Sequence, residues 1–343
     1  MIEIDGSRGE GGGQLVRTAV AVSAATGKPV HITNIRARRQ NPGLAAQHVA
    51  AVKCVAGLCN ASTDNLSVGS PVLAFRPGPL RPGKFKIDVG TAGSIPLVLQ
   101  AGVLAASFCP GETTLEITGG TDVRNAPPID YFANVLVPLL AKLGIAVSLD
   151  VRKRGYYPRG GGEAVAVIRP PAKPLAFRVE GPGRLVSIGG KAHVVELGAD
   201  IMKRMAASAA SELRSFPAPV KIDEETPPGM GPGTGITLWA WTDYSVLGAS
   251  ALGEKGLRAE NVGAVAGREL SAELKAGASL DVHAADMLVP YLAMGNGGAF
   301  TVRSLSTHLE TVMWLMTELT GARYTIEKKY GLMRIAVNKL TRE

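Results

Sequence analysis

Apolar positions along the chain follow two patterns, one typical of strands and one of helices. Short stretches that end in Ile-Asp or Leu-Asp have the alternation and residue types of strands. Longer runs of small and aliphatic residues follow them and have the length of helices. In the first sixty residues this predicts strands at 3–5 and 30–32, with helices at 15–25 and 44–58. A strand–helix–strand–helix order predicts an α/β (α+β) protein.

The same order recurs twice more along the chain. Its second copy covers strands at 86–88 and 114–117 and helices at 95–106 and 128–143. Its third copy covers strands at 279–281 and 299–302 and helices at 285–293 and 308–319. Asp5 and Asp88 are 83 positions apart, whereas Asp88 and Asp281 are 193 apart. A recurring period is first a structural signature, and a unit this small has too little core to stand alone.

We therefore predict three repeats of a ββα-type unit of about 85 residues, packed around a common centre. A smaller α/β domain of about 100 residues is inserted before the third copy. The predicted domains are residues 1–181 with 277–343 for the three-repeat catalytic part, and 182–276 for the insertion. A centre shared by repeats is a natural place for a binding site.

Composition narrows the class of protein. The chain is 46% hydrophobic and 19% charged, which predicts a globular protein rather than a disordered one. Its longest apolar stretch, residues 97–109, is too short to cross a bilayer, and the N-terminus enters a strand without a signal peptide, so no membrane association is expected. Cys54, Cys59 and Cys109 form no CxxC pair, which favours a reducing, cytoplasmic location without structural zinc. The net charge of +8 makes a polyanionic partner plausible.

His308 is the strongest candidate for chemistry, because only the third copy carries a histidine at the start of this helix. Ser304, Ser306 and Thr307 are helix-capping residue types, so the pattern predicts His308 in the first helical turn. Free backbone N–H groups there favour an anion, and the helix dipole favours the neutral, nucleophilic imidazole. His308 could therefore attack phosphorus, or it could simply fill a helix-start position.

Two further segments suggest phosphate binding. Residues 5–17 form a glycine-rich turn between a strand and a helix, in which Glu10 is a lone carboxylate suited to Mg²⁺ and Arg17 lies one helical turn beyond Gln14. Three arginines at positions 36, 38 and 39 precede the next helix, which carries His48, and guanidinium groups bind phosphate well. Tight packing of the turn and a solvated charge cluster are the alternatives.

Three other segments are less specific. Residues 152–162 combine basic and aromatic side chains, as single-stranded nucleic acid binding does, although a hairpin with charged edges explains them nearly as well. Asp286 either stabilises the start of an apolar helix or holds a metal or the imidazole of His308. Residues 226–235 superficially match a nucleotide-binding GxGxxG pattern, but they do not join a strand to a helix, and we interpret them as a flexible loop.

Taken together, these segments resemble the RNA 3′-terminal phosphate cyclase family. The resemblance rests on residues 9–14, 36–43, 119–123, 155–162 and the His308 turn, and it extends from residue 3 to about residue 338. It implies a three-repeat α/β domain with an inserted smaller domain, and a histidine, His308, that is adenylylated by ATP. It also implies further site residues. Those for ATP are Gln100, His283, Ala284, Ala285, Asp286 and Met287, and those for phosphate, RNA or metal are Glu10, Arg17, Arg36, Arg39 and His48.

The resemblance implies a complete reaction. An RNA 3′-phosphate end would be converted to a 2′,3′-cyclic phosphate with ATP, Mg²⁺ or Mn²⁺ on Glu10, and release of AMP and diphosphate. His283 departs from the aromatic residue found in some members at the adenine pocket. A ribosome-assembly relative lacks the histidine, an enolpyruvyl transferase would need a cysteine-bearing loop, and a plain RNA-binding protein would not need Glu10. The sequence leaves a homo-oligomer open.

Overall fold

The computed structural model describes residues 1–338 and confirms a mixed α/β protein. Its first sheet begins with two parallel strands joined by a helix, because apolar strand residues alternate with polar ones and the intervening helix is apolar. Two antiparallel strands complete the sheet in the order β1-β2-β4-β3. The elements are β1 (Ile2–Asp5), α1 (Gly13–Thr26), β2 (Val30–Thr33), α2 (Ala46–Cys59), β3 (Ser62–Asp64) and β4 (Leu73–Arg76).

The second sheet has the same order and strand directions. Its first two strands are parallel, and the next two follow as an antiparallel hairpin, giving β5-β6-β8-β7, with a short fifth strand, Gly229–Met230, paired beside β7. One continuous helix contains a π-helical turn at Phe132–Leu136, between α4 (Ile129–Tyr131) and α5 (Val137–Lys142). The other elements are β5 (Gly83–Asp88), α3 (Ile95–Ala106), β6 (Thr113–Gly119), β7 (Ala146–Gly155) and β8 (Gly162–Arg169).

A third strand pair is interrupted by a long segment with its own sheet. Strand β9 (Phe177–Val179) precedes this segment, whose sheet has the order β11-β10-β13-β14 with two helices against one face. A separate hydrophobic cluster lies between that sheet and those helices. The elements are β10 (Leu185–Val195), α6 (Ala199–Glu212), β11 (Val220–Glu225), β12 (Gly229–Met230), β13 (Gly233–Thr242), β14 (Val246–Leu252) and α7 (Ala259–Ala276).

After this segment the third sheet is completed in the order β9-β15-β17-β16, again with a parallel first pair. Its remaining elements are α8 (Val282–Met294), β15 (Gly298–Val302), α9 (Thr307–Thr320), β16 (Tyr324–Lys329) and β17 (Leu332–Val337). The two ends of the long segment are close together. The Thr301 hydroxyl donates to the Glu180 carbonyl at 3.3 Å, and the Ser279 amide donates to the Thr301 carbonyl at 3.1 Å.

Two sequence expectations are wrong in detail. Residues 279–281 are not a strand, because Asp281 caps α8; the first strand of the third sheet is β9, so the long segment follows that strand rather than preceding the whole unit. The run 226–235 is not all loop, because β12 pairs with β7 and β13 begins at Gly233. The first, second and third sheets therefore each belong to a β-α-β-α-β-β sequence, which is longer than the expected ββα unit.

Helix α3 lies at the centre of the main core. It is apolar on all sides except at Gln100, and such a helix is stable only where its apolar faces are covered. It contacts α1, α2 and α8, and the apolar stretch of residues 97–109 is therefore a core element. Within residues 1–338, no helix is long and apolar enough to cross a membrane. The three cysteines are buried free thiols.

The sheet of the long segment packs its outer face against the helix that begins at Ile129. Gly248 on β14 permits this approach, since a Cβ there would lie 2.4 Å from a methyl of Val135 and 2.8 Å from the ring of Tyr131. The Gly248 amide also donates to the Asp281 carboxylate at 2.8 Å. The long segment is thus held against both the second and the third sheet.

A buried ion-pair group strengthens the same contact. Arg154 on β7 contacts Asp122 at 3.0 Å and Asp130 at 2.5 Å, and Lys191 and His193 of β10 approach the same two carboxylates. Burial would raise the pKa of Asp122, but the charges of Arg154 and His193 lower it below its usual range. Two carboxylates and a histidine can hold a metal, but here Arg154 and Lys191 already pair with the two carboxylates, so the group joins parts of the chain instead.

We expect Gly248→Ala to lower the free energy of unfolding by about 1–3 kcal/mol, because an added methyl overpacks the contact with Val135 and Tyr131. Urea denaturation measures this. The matched control is Gly181→Ala, since a Cβ at Gly181 meets no atom within 4 Å. Equal stability of the two variants would contradict close docking at β14.

Candidate active site

One cleft of about 600 Å³ lies where helices from all three sheets begin. Eleven of its lining residues lie in the first two turns of α1, α2, α3, α8 and α9, and the others lie in connecting turns, on α4 or on β14. Helices α1, α2, α3 and α9 each follow the carboxyl end of a parallel strand, so their N-termini emerge on the same side of their sheets. Helix N-termini carry positive partial charge and unpaired N–H groups, so the cleft favours an anion.

Ten of the twelve residues expected from the sequence line this cleft. They come from positions as distant as 10 and 308, and they are Glu10, Arg17, Arg36, Arg39, His48, Gln100, His283, Asp286, Met287 and His308. The other two, Ala284 and Ala285, are fully buried in the main core and do not line the cleft.

His308 lies in the first turn of α9, as its sequence context predicts. Ser306 caps the helix by accepting a hydrogen bond from the Leu309 amide at 3.0 Å. The His308 Nδ1 atom is 2.8 Å from the Gln14 side-chain oxygen, and the His308 side chain is 47% exposed. Because an amide oxygen only accepts, Nδ1 carries the proton and Nε2 keeps its lone pair. Gln14 therefore sets the tautomer that has a free nucleophilic nitrogen.

The charges around His308 also favour its neutral form. Burial lowers the pKa of His308 below its ordinary value, and electrostatic interactions with His283, Arg17 and Arg39 lower it further. A histidine with this environment remains a nucleophile at neutral pH.

Arg17 is buried beside the cleft without a hydrogen-bond partner for its Nε atom. Burial lowers the pKa of Arg17 to about 10, and the charge of Asp286 only partly offsets this effect. Burial also holds the pKa of Asp286 well above its usual range. Each group is therefore poorly solvated, and a ligand that pairs with Arg17 would relieve part of the cost of burying it.

The His48 ring on α2 fits against the start of α1 because Gly13 has no side chain. A Cβ on Gly13 would lie 1.9 Å from His48 Nε2, so only glycine leaves room for the ring. The His48 Nδ1 atom accepts a hydrogen bond from the Ala45 amide at 2.9 Å, so Nε2 carries the proton. Burial, followed by the charges of Arg17 and Arg36, lowers the pKa of His48 to about 3. It is thus a neutral hydrogen-bond donor beside the open N-terminus of α1.

Glu10 lies between the arginine turn and His308. Its carboxylate contacts the Arg39 guanidinium and is 3.7 Å from His308 Nδ1. The backbone amide of Glu10 donates to the Thr311 hydroxyl at 2.9 Å, which fixes the glycine-rich turn against α9. Arg36 is half-buried and donates to the Gly43 carbonyl at 2.8 Å, so it also holds its own turn. Arg38 is exposed and does not line the cleft.

The far end of the cleft combines polar and apolar groups. Gln100 donates to the sulfur of Met287 at 2.8 Å, and His283 is exposed at the start of α8. Asp281 fixes this wall by accepting hydrogen bonds from the His283 amide at 3.0 Å and the Tyr131 hydroxyl at 2.6 Å.

Sequence reasoning did not assign several lining residues. Gln14 lies within the glycine-rich segment, and its position after that turn was the available signal. Others carry no local signal, because they are ordinary residues brought in by packing, including Ser250 from the inserted segment. These residues are Gln47, Leu97, Asn125, Ala126, Pro127, Tyr131 and Ser250.

Comparisons with known proteins agree on one family. Residues 8–326 match the family described as RNA 3′-terminal phosphate cyclase. The chain is 46% identical over 341 residues to a protein of that name from Nitrosospira multiformis, covering 98% of this chain and 96% of the relative. Relatives of the same name from Caldivirga maquilingensis and Pyrococcus furiosus are 43% and 41% identical, with 99% and 96% of both chains covered respectively.

The acid dependence of stability should depend on His48. In the unfolded chain this histidine takes up a proton near its ordinary pKa of 6.5, whereas in the folded protein it does so only near 3. The contribution of His48 to the free energy of unfolding is therefore fully present above pH 6.5 and is lost as the pH falls toward 3. We expect His48→Gln, which keeps a neutral acceptor and donor, to show a weaker loss in urea denaturation across this range.

His48→Ala should lower stability by about 1–3 kcal/mol even at neutral pH, because the Ala45 amide loses its acceptor. His31→Gln is the control, since His31 is a partly exposed surface histidine paired with Glu3. An acid dependence that changes equally in His31→Gln and His48→Gln would refute the assignment.

Proposed function

The chain belongs to the RNA 3′-terminal phosphate cyclase family, and from that premise we propose that it converts an RNA 3′-phosphate to a 2′,3′-cyclic phosphate with ATP. The reaction passes through a covalent histidine–AMP intermediate on His308 and an adenylylated RNA 3′ end. The observation that supports this most directly is the hydrogen bond between His308 Nδ1 and Gln14, which leaves Nε2 free in an anion-favouring cleft.

In the first step the Nε2 lone pair of His308 attacks the α-phosphorus of ATP. The nitrogen–phosphorus bond forms while the bond to the β-phosphate oxygen breaks, and diphosphate leaves. The imidazole becomes positively charged in this step. Gln14 remains hydrogen-bonded to Nδ1, and the Glu10 carboxylate at 3.7 Å stabilises the developing charge.

The cleft suits ATP in size and in charge. Its volume of about 600 Å³ is within the range of small-molecule sites. The triphosphate would bind to Arg17, Arg36, Arg39, the His48 Nε2–H group and the open N-terminus of α1. The adenine would lie at the far end against Gln100, His283, Asp286 and Met287, as the family resemblance implies. The unpartnered Nε atom of the buried Arg17 guanidinium supports the phosphate part of this arrangement.

Glu10 is a suitable ligand for Mg²⁺ or Mn²⁺. Mg²⁺ typically takes one or two protein carboxylates and completes its shell with water and phosphate oxygens, so a single carboxylate fits. The ion would neutralise charge on the phosphates when it is bound. Arg39 now pairs with Glu10, and it would turn to the phosphates as the carboxylate takes the metal.

In the second step an oxygen of the RNA 3′-phosphate attacks the AMP phosphorus and the nitrogen–phosphorus bond breaks, which returns His308 to its neutral form. The RNA now ends in a phosphoanhydride, of which AMP is a good leaving group. In the third step the neighbouring 2′-hydroxyl attacks the RNA phosphorus, loses its proton and expels AMP. This attack is intramolecular and benefits from a large effective molarity.

We also infer the organisation that surrounds this site. The three sheets with one strand order are three copies of one unit, and residues 182–276 form a separate inserted domain with its own hydrophobic cluster. The remaining residues form the catalytic part. Buried free thiols support a cytoplasmic location, and a homo-oligomer stays a prediction open to test.

His308→Ala should abolish covalent labelling by ATP that carries ³²P at the α-position, because no other nitrogen replaces Nε2. The expected wild-type result is an acid-labile label that remains on the denatured protein. His31→Ala, which changes a histidine outside the cleft, should label like the wild type. A His308→Ala protein that still acquires acid-labile label would refute the role of this residue.

The 2′-hydroxyl should separate activation from ring closure. An oligonucleotide with a 2′-deoxy 3′-phosphate end should become adenylylated and stop there, because the nucleophile of the third step is absent. The matching RNA should proceed to the cyclic phosphate and release AMP. Chromatography of end-labelled oligonucleotides with ATP and Mg²⁺ distinguishes the products. Formation of the cyclic end without ATP would contradict the scheme.

A further inference from the structure

The turn between β7 and β8 presents an aromatic and a basic side chain to solvent. Tyr157 is 82% exposed, and Arg159 is exposed two positions later. Within residues 1–338, no carboxylate lies within ion-pair distance of Arg159. A large planar ring and a free guanidinium are therefore both available to a ligand. The chemistry assigned to the cleft uses neither of them.

The turn has a rigid base. The Gly160 amide donates to the Tyr156 carbonyl at 2.7 Å, which closes the turn. Tyr156 is buried, and its hydroxyl is 2.8 Å from His193 Nδ1 in the inserted segment. The Gly155 amide donates to the Thr121 hydroxyl at 3.0 Å. Because the backbone is fixed on three sides, a ligand that contacts Tyr157 would have little backbone entropy to remove.

This turn is not part of the cleft lining, but it lies against two segments that lead to the cleft wall. The Thr121 amide donates to the Gly155 carbonyl at 2.8 Å, and the segment that continues from Thr121 reaches Pro127, which lines the cleft. On the other side Gly160 packs on the 91–94 turn; a Cβ on Gly160 would lie 2.8 Å from the Thr91 carbonyl oxygen.

The 91–94 turn leads back to the cleft. The Ser94 amide donates to the side-chain oxygen of Gln47 at 3.2 Å, and Gln47 lines the cleft beside His48. The turn that carries Tyr157 is thus bordered by two segments that each reach the cleft wall.

The length of an RNA substrate explains why this position matters for binding. A terminal phosphate must enter the cleft to meet His308, and the nucleotides joined to it must then cross the rim. An exposed aromatic ring stacks on any base, and an arginine contacts the phosphates between bases. This combination is suited to single-stranded RNA of any sequence, since stacking and phosphate contacts do not read base edges.

We propose that Tyr157 and Arg159 bind the RNA strand upstream of its last two nucleotides, Tyr157 by stacking on a base and Arg159 by contacting a phosphate. This inference rests on the proposed function, because it takes RNA as the substrate of the cleft. The surface gives affinity for the RNA strand and takes no part in the attack of His308 on ATP.

The experiment compares wild type, Tyr157→Ala, Tyr157→Phe and Arg159→Ala on two substrates, a dinucleotide 3′-phosphate and a single-stranded RNA 3′-phosphate of about ten nucleotides. Loss of one stacked base should raise KM for the longer RNA about tenfold in Tyr157→Ala. Its kcat, its KM for the dinucleotide and its labelling by ATP should stay unchanged. Tyr157→Phe should behave like the wild type, because the ring and not the hydroxyl stacks.

Arg159→Ala should also raise KM for the longer RNA. The slope of log KM against log salt concentration should fall by about 0.7, the amount expected for the loss of one phosphate contact on a single strand. Tyr330→Ala is the matched control, since Tyr330 is 93% exposed beside Lys329 but belongs to the β16–β17 turn and does not line the cleft. Equal KM values for Tyr157→Ala and Tyr330→Ala on the longer RNA would overturn the inference. Reduced ATP labelling of Tyr157→Ala would also overturn it, because the turn would then act on the site itself.

Failure of the proposed function would be seen separately. If wild type neither labels at His308 nor cyclises either substrate, the function is wrong. Fluorescence anisotropy with the longer RNA then still tests the surface. Weaker binding by Tyr157→Ala than by Tyr330→Ala would support it, and equal binding would reject it.

Discussion

Helix N-termini from three sheets meet at a single cleft, and most of the site's chemistry follows from that convergence. Four of the five helices follow the carboxyl end of a parallel strand, and the connection rules of parallel strands put such ends on one side of a sheet. Their dipoles add in the same small volume, so the cleft is electropositive before any charged side chain is counted. Arg17, Arg36 and Arg39 then extend a field that the backbone already provides.

Burial in this field keeps the histidines neutral. The pKa of His48 falls to about 3 and that of His308 falls below its ordinary value, in both cases mainly because burial disfavours the charged ring. Neutral rings then differ only by their partners. Ala45 makes His48 a donor at Nε2, whereas Gln14 leaves His308 with a free lone pair at Nε2. Two similar side chains thus acquire opposite roles from one hydrogen bond each.

The long segment between β9 and α8 contributes to the cleft because it is anchored to elements that line the cleft. Asp281 accepts hydrogen bonds from Tyr131, from the start of α8 and from Gly248 on β14. Ser250, two residues beyond Gly248, lines the cleft. The buried Arg154 group makes a second attachment, and removing one of its charges would leave another unpaired in the interior. A change in this docking is therefore expected to alter the cleft wall.

The sequence by itself determined the features that depend on a few neighbouring residues. It predicted the mixed α/β class, the buried apolar helix at residues 95–106, and the position of His308 in a helix that Ser306 caps. Most residues carried over from the family resemblance lie in one cleft, although their individual roles stay predictions. Periodicity and capping are local properties, and a short window of sequence contains them.

Tertiary structure decided what depends on distant partners. Gln14 orients His308 across 294 positions, and Gly13 makes room for His48. Strand β9 pairs with β15 across the inserted segment, so residues 279–281 stay outside the sheet although their pattern resembles a strand. Ala284 and Ala285 point into the core while their neighbours line the cleft. Such outcomes depend on which surfaces meet when the sheets pack. Contacts between residues far apart in the chain compete to decide this, and a short window of sequence does not contain them.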